Sequence, residues 1–233
     1  MKTFNTIILT ALLAGGLAGL VLGGIQQFTV VPMILEAETY ETTGEGGGEG
    51  ETAHGAEDEA WAPKDGVERT FWTVLNSMLV GIGFGLLLTA CYALRKRVTW
   101  QYGILWGLAG FAAFNLAPAL GLPPELPGDA AAGLEQRQVW WILTVAVTAV
   151  GLWILAFQPN RYLKLIGAGL IVLPHLFGAP HPERHGGLAP EELRNAFIVA
   201  TLVSNAVFWI ALGVLCALFY QRFGGNTEST APG

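Results

Sequence analysis

From Thr3 to Leu35 the chain passes without a single charged side chain. As a helix rising about 1.5 Å per residue, this stretch exceeds a hydrocarbon core about 30 Å thick. Further uncharged runs of spanning length follow at Thr70 to Leu94, Thr99 to Pro118, Val139 to Phe157 and Ala196 to Tyr220. Inside lipid each backbone N–H and C=O must find its partner within the protein, so such runs fold as helices. Composition agrees. Hydrophobic residues make up 52% of the chain and charged ones 13%, whereas a soluble domain carries about 25% charged residues. The 31 glycines and 8 tryptophans also suit a membrane bundle. The prediction is an all-α, polytopic transmembrane helix bundle, with residues 1–233 forming one membrane domain.

The number of spans is five or six. Leu165 to Leu173 is apolar, but Pro174 and His175 interrupt it. The segment near 163–178 is therefore either a short span or a re-entrant piece, and short interrupted segments often line a transporter's binding site. At the other end, Lys2 followed by an apolar stretch looks like the start of a signal peptide. The apolar run extends well past an ordinary h-region and no polar cleavage zone follows, so a retained helix is expected. Gln26, Gln27 and Pro32 mark where that helix leaves the lipid or kinks.

Charge sets an orientation. With six spans and the N-terminus inside, Lys2, Arg95, Lys96, Arg97, Arg161, Lys164 and Arg222 fall on the inner side and Lys64, Arg69, Arg137, Arg184 and Arg194 on the outer, a bias of seven to five that the Arg95-Lys96-Arg97 cluster in a very short loop strengthens. Basic residues in short loops favour the cytoplasm. Every acid except Glu228 then falls outside, as do all four histidines. The expected location is the cell membrane, multi-pass, with a cytoplasmic N-terminus. The outer loop 36–69 is rich in Gly and Glu and has almost nothing apolar to bury, which predicts a disordered acidic tether. A second outer loop, 174–195, is rich in His and Pro.

Within the spans, Gly15, Gly19 and Gly23, then Gly81 and Gly85, and Gly103 and Gly107 recur at four-residue spacing. Such faces let helices approach closely in lipid. Cys91 and Cys216 sit inside apolar runs and read as small packing residues. Asn76, Ser77, Asn115, Ser204 and Asn205 are polar residues within spans, suited to interhelical hydrogen bonds or to a permeation path. No span carries a charge at its middle, which argues against a proton relay on intramembrane carboxylates.

The residues able to carry chemistry lie outside the lipid. The stretch LPHLFGAPHPERHGG holds His175, His181 and His185, with Glu183 between the last two. Neutral imidazole is a good ligand for cobalt, nickel, zinc or copper. The spacing fits no structural zinc pattern and no thiolate is near, so a polar turn with exposed histidines stands beside the metal-site reading. Pro174, Pro180 and Pro182 argue against a continuous helix through the stretch. The second cluster, PMILEAETYE, places Glu36, Glu38 and Glu41 just outside the lipid. It is either a cation-attracting site or an ordinary solvated boundary. GxSxG, HExxH and a phosphate-binding GK[ST] loop are all missing, which sets aside the enzymes that use them. The scattered basic residues and the net charge of −6 set aside nucleic-acid binding.

The N-terminal ILTALLAGGLAGLVLGGIQQFTVVPMILEAETYE and the later LPHLFGAPHP together resemble the CbtA family of proposed cobalt transporter subunits. The resemblance runs from the first helix to the last. It implies a polytopic, non-enzymatic protein linked to cobalamin biosynthesis, with a small His-rich membrane subunit, CbtB, as partner. Glu36, Glu38, Tyr40 and Glu41 fall in the first motif, and His175, Gly178, Pro180 and His181 in the second. The expected function is uptake of a divalent metal, Co2+ in the family, captured by His175, His181, His185, Glu36, Glu38 and Glu183. No tightly bound cofactor is expected. The alternative is a membrane metal receptor or scaffold that moves no ion. A homo-oligomer in the bilayer stays open.

Overall fold

The computed structural model describes residues 1–45, 63–64, 66–94, 98–182 and 186–224. Its helices are α1 (Lys2–Glu45), α2 (Val67–Ala93), α3 (Trp100–Phe111), α4 (Ala117–Ala119), α5 (Leu134–Phe157), α6 (Arg161–Phe177) and α7 (Glu191–Gly224). A π-helical turn, Ala112–Leu116, joins α3 to α4. Among the described residues, five helical segments are long and apolar enough to cross a membrane, and α6 falls outside that set. No β-strand occurs among the described residues.

Local chemistry explains the boundaries. The Thr99 hydroxyl accepts from Tyr102 N–H and starts α3. The Asn160 carboxamide accepts from Tyr162 N–H at 2.8 Å and starts α6. Both relieve amides that a helix start leaves unpaired. Gly178, at φ 80°, ends α6 in a conformation that a side chain would strain.

The glycines fix the packing. In lipid, helices gain little from burying apolar surface against one another, so close van der Waals contact holds them. Gly15 lies against Gly81, Gly19 against Ser77 and Met78, and Ala11 against Gly85. Residue numbers rise on α1 as they fall on α2, so the pair is antiparallel. Gly103 and Gly107 lie on Gly213 and Trp209 and run α3 antiparallel to α7; Gly151 on Gly167 joins α5 to α6. Between these pairs Tyr92, Phe208, Trp209, Leu212 and Cys216 are fully buried. Both cysteines are free, and Cys216 fills space as the sequence suggests.

The same contacts establish the path of the chain. His175, near the end of α6, meets Trp140, near the start of α5. Helix α6 therefore packs antiparallel to α5 as one continuous helix of 17 residues. Gly224 at the end of α7 lies near Thr6 at the start of α1. Both ends of the chain thus lie at one end of the bundle, and the chain traverses the bundle six times. At that terminal end the described charged residues are Lys2, Arg161, Lys164 and Arg222. The acidic side chains described, Glu36 to Glu192, all belong to the opposite end.

Two loop boundaries move. Helix α1 continues through Gln26, Gln27 and Pro32 to Glu45, so the acidic segment expected as loop from residue 36 begins as helix. Most of the Gly/Glu-rich part, with His54, lies outside the described residues. The expected 174–195 loop narrows to the stretch between Phe177 and Glu191.

Candidate functional site

At the acidic end, two loops are fastened to each other. Leu122-Pro123-Pro124 cannot continue a helix, and the chain turns there. The Asp129 carboxylate accepts from Leu126 N–H at 2.8 Å, and Asp129 N–H donates to Leu126 O at 3.1 Å. Gly128, at φ 77°, allows the turn. Asp129 then pairs with Gly187 in an isolated antiparallel bridge, and Ala130 N–H donates to Gly186 O at 3.0 Å. Leu126 and Ala189, one from each loop, bury against Val30 and Ala37 of α1 and Phe197 of α7.

Beside this fastening lies an open cleft of about 300 Å3. His181, Glu125, Asp129 and Glu191 line it, together with Arg194 and Asn195. Three carboxylates against one guanidinium leave it net negative. One Asp129 carboxylate oxygen is buried and has no hydrogen-bond partner. Beside it lies a second, more open cleft of about 540 Å3, lined in part by Asn115 in the π-helical turn and Thr201 on α7. Glu125 lines both cavities. Its carboxylate meets an Arg137 guanidinium nitrogen at 2.7 Å. Burial pushes the Glu125 carboxyl above the ordinary carboxylate range; Arg137 opposes the shift and Asp129 adds to it.

The residues expected from sequence divide. His181 is exposed on the wall of the outer cavity. His175 is half-buried, edge-on to Trp140 at 5.9 Å between ring centroids, and its Nε2 is buried without a hydrogen-bond partner. Glu36 is exposed on α1. Glu38 meets Arg69 of α2 through both carboxylate oxygens, at 2.9 and 3.4 Å. Both side chains of that pair are about one-third exposed, so the contact contributes no more than about 1 kcal/mol. Neither Glu36 nor Glu38 lines the His181 cavity. Glu183 and His185 lie outside the described residues. Among the described residues, no three His, Cys, Asp or Glu side chains are grouped to hold a metal ion.

Sequence reasoning missed Glu125, Asp129 and Glu191. The signal was PPELPGD, a second proline-rich segment with acids between two spans. The polar residues within spans serve mostly local ends. Ser204 and Asn205 donate to carbonyls one turn back, at 2.7 and 2.9 Å. Ser77 meets Gln26 of α1 at 3.3 Å, and Trp209 Nε1 donates to Asn115 Oδ1 at 2.7 Å. Both are interhelical bonds. Asn115 also lines the larger cleft.

No curated protein and no solved structure matches the chain. One family model does, over residues 4–221, described as "Probable cobalt transporter subunit (CbtA)". The match takes in every helix but the outermost residues of α1 and α7. Six traverses of the bundle, five of them of spanning length and hydropathy, and a match over nearly the whole sequence lead to one conclusion: this chain is a multi-pass membrane protein belonging to the CbtA family.

Proposed function

We propose that the chain carries divalent cobalt inward across the cell membrane, to supply cobalamin synthesis. The observation that carries this reading is the family match over residues 4–221. The separation of charge supports a direction. By sequence, seven basic residues fall to the end that holds both termini, among them the closely spaced Arg95-Lys96-Arg97, and five to the other; the positive-inside rule reads the former as the cytoplasmic end. The acidic end then faces outward and concentrates cations near the membrane. With the inside negative by about 100 mV, an inward-moving divalent ion gains roughly 4.6 kcal/mol, twice the single-charge value.

In this reading His181 and His175 supply imidazole nitrogens, and the carboxylates around the outer cavity supply oxygens. This mixed donor set suits cobalt(II). Glu36 and Glu38, at the same end of the bundle, would add attracting charge, and Glu183 and His185 follow His181 in sequence. A small His-rich subunit of the CbtB type would deliver the ion or complete the path.

The test is radiolabelled cobalt uptake by cells lacking their own cobalt importers. The His175→Ala, His181→Ala double variant is expected to lose most of the uptake at equal membrane level. Uptake equal to wild type would remove the histidines from the path. Cobalt bound by the purified chain without any flux would point to a receptor.

A further inference from the structure

Helix α2 packs on α1 and, through Phe84, on α7 and the π-helical turn. Another side of it carries an exposed stripe: Asn76, Val80, Gly83, Leu87 and Ala90. Steps of four and three residues keep these positions in one row along the helix. Two of them do not suit lipid. Asn76 forms no hydrogen bond with any described residue, whereas its neighbour Ser77 meets Gln26 of α1. Gly83 is exposed, and a Cβ there would meet nothing within 4 Å, whereas Gly81 and Gly85 on either side of it admit α1. We propose that this face of α2 is a dimer interface, docking the same face of a second copy of the chain, with the two Asn76 carboxamides hydrogen-bonded to each other.

Asn76 lies seven residues past Arg69, about 10 Å further along the helix, within the uncharged run Thr70 to Leu94. Lipid offers no hydrogen bond to an amide at that depth, and polar side chains within spans serve to join helices. Beyond the first two turns of each helix, Asn76 is the one exposed Ser, Thr, Asn or Gln among the described residues of the uncharged runs. The outward faces of α1, with Leu9, Leu13, Leu17 and Leu20, and of α7, with Val199, Val203 and Val207, are bulky and apolar, as lipid contact asks. Gly24 and Gly169 also face open space, but no such polar side chain accompanies them.

The chemistry of the seam selects its occupant. Copies of one chain insert the same way round, so a two-fold axis along the bilayer normal sets each residue against itself at equal depth. A carboxamide both donates and accepts, so Asn76 satisfies Asn76 with no further group. An unrelated helix would need its own polar side chain at that level. Two turns on, Gly83 lets the paired backbones approach, and Val80 and Leu87 fill the seam on either side of it. A single Asn in such a seam also fixes register.

The test uses the full chain in its membrane, in a Cys91→Ala background where the remaining Cys216 is buried. Val80→Cys and Leu87→Cys, oxidised with copper phenanthroline, are expected to give a disulfide-linked dimer of the chain. Val203→Cys on the outward face of α7 should give at least tenfold less. Adding Asn76→Leu to Val80→Cys, or Gly83→Leu to Leu87→Cys, should cut the dimer several-fold. The Gly83 change meets no atom of its own chain, so it leaves the folded monomer intact. The proposal is overturned if Val80→Cys and Leu87→Cys link no better than Val203→Cys, if Asn76→Leu leaves the dimer fraction unchanged, or if the cysteines link to a different protein instead.

Discussion

Leucine in place of Gly15 is expected to keep the chain from accumulating as a folded membrane protein. A Cβ at Gly15 would strike the Gly81 carbonyl and lie 2.5 Å from Ile82 Cα. The obstacles are backbone atoms of a continuous helix, so no rotamer change can clear them. The clash is mutual, because a Cβ at Gly81 would strike the Gly15 carbonyl. Helices α1 and α2 would have to part, and the contacts at Gly19 and Gly85 would open with them. Overpacking a core typically costs about 1–3 kcal/mol; a backbone clash repeated along a crossing belongs at or above the top of that range. Gly24 provides the control, since nothing lies within 4 Å of a Cβ placed there. Gly24→Leu should elute as a single species in detergent and aggregate on heating near the wild-type temperature. Gly15→Leu should do neither. Equal behaviour of the two variants would mean that α1 and α2 do not cross at Gly15 and Gly81.

The second large effect is expected at Trp209. Its side chain is 1% exposed. The ring lies 4.6 Å from Phe84 and 5.5 Å from Phe114 between centroids, stacked on the latter. Its Nε1 donates to Asn115 across the α3–α7 boundary. Truncation to alanine empties this space, and such changes cost about 3–5 kcal/mol in well-packed proteins. The hydrogen bond is the smaller part, since interhelical bonds in a membrane average about 0.6 kcal/mol. Trp209→Phe keeps most of the ring contact and loses the bond, so it should cost far less than Trp209→Ala. Unfolding by increasing denaturing detergent in mixed micelles would rank the two. If phenylalanine proves as damaging as alanine, the bond to Asn115 rather than ring packing holds α7 to the π-helical turn.

Which parts of this molecule could be read from its sequence follows from the reach of each interaction. Spans were legible because lipid excludes charge, a property of every residue taken singly. The glycine faces were legible because four-residue spacing puts them on one side of a helix. Their partners were partly hidden: nothing in the sequence says that Gly107 meets Trp209. The continuation of α1 past Pro32 was missed because acids next to an apolar run look like a loop. Yet EAETYETTGE contains no glycine before its ninth residue, and Glu and Ala are good helix formers. His175 and His181 stood out by residue type alone. Glu125, Asp129 and Glu191 did not, since they join His181 only after Asp129 pairs with Gly187, far along the chain. A site assembled from two loops has no local spacing to betray it.

The central claim is that this chain moves cobalt inward. The most direct measurement is the initial rate of radiolabelled cobalt uptake by cells without other cobalt importers, expressing the chain together with a small His-rich subunit. Uptake should exceed that of cells carrying neither protein and should fall when an uncoupler collapses the membrane potential. Uptake no greater than in the empty cells, with the chain intact in the membrane and binding cobalt once purified, would contradict the claim and leave a metal-binding protein without transport.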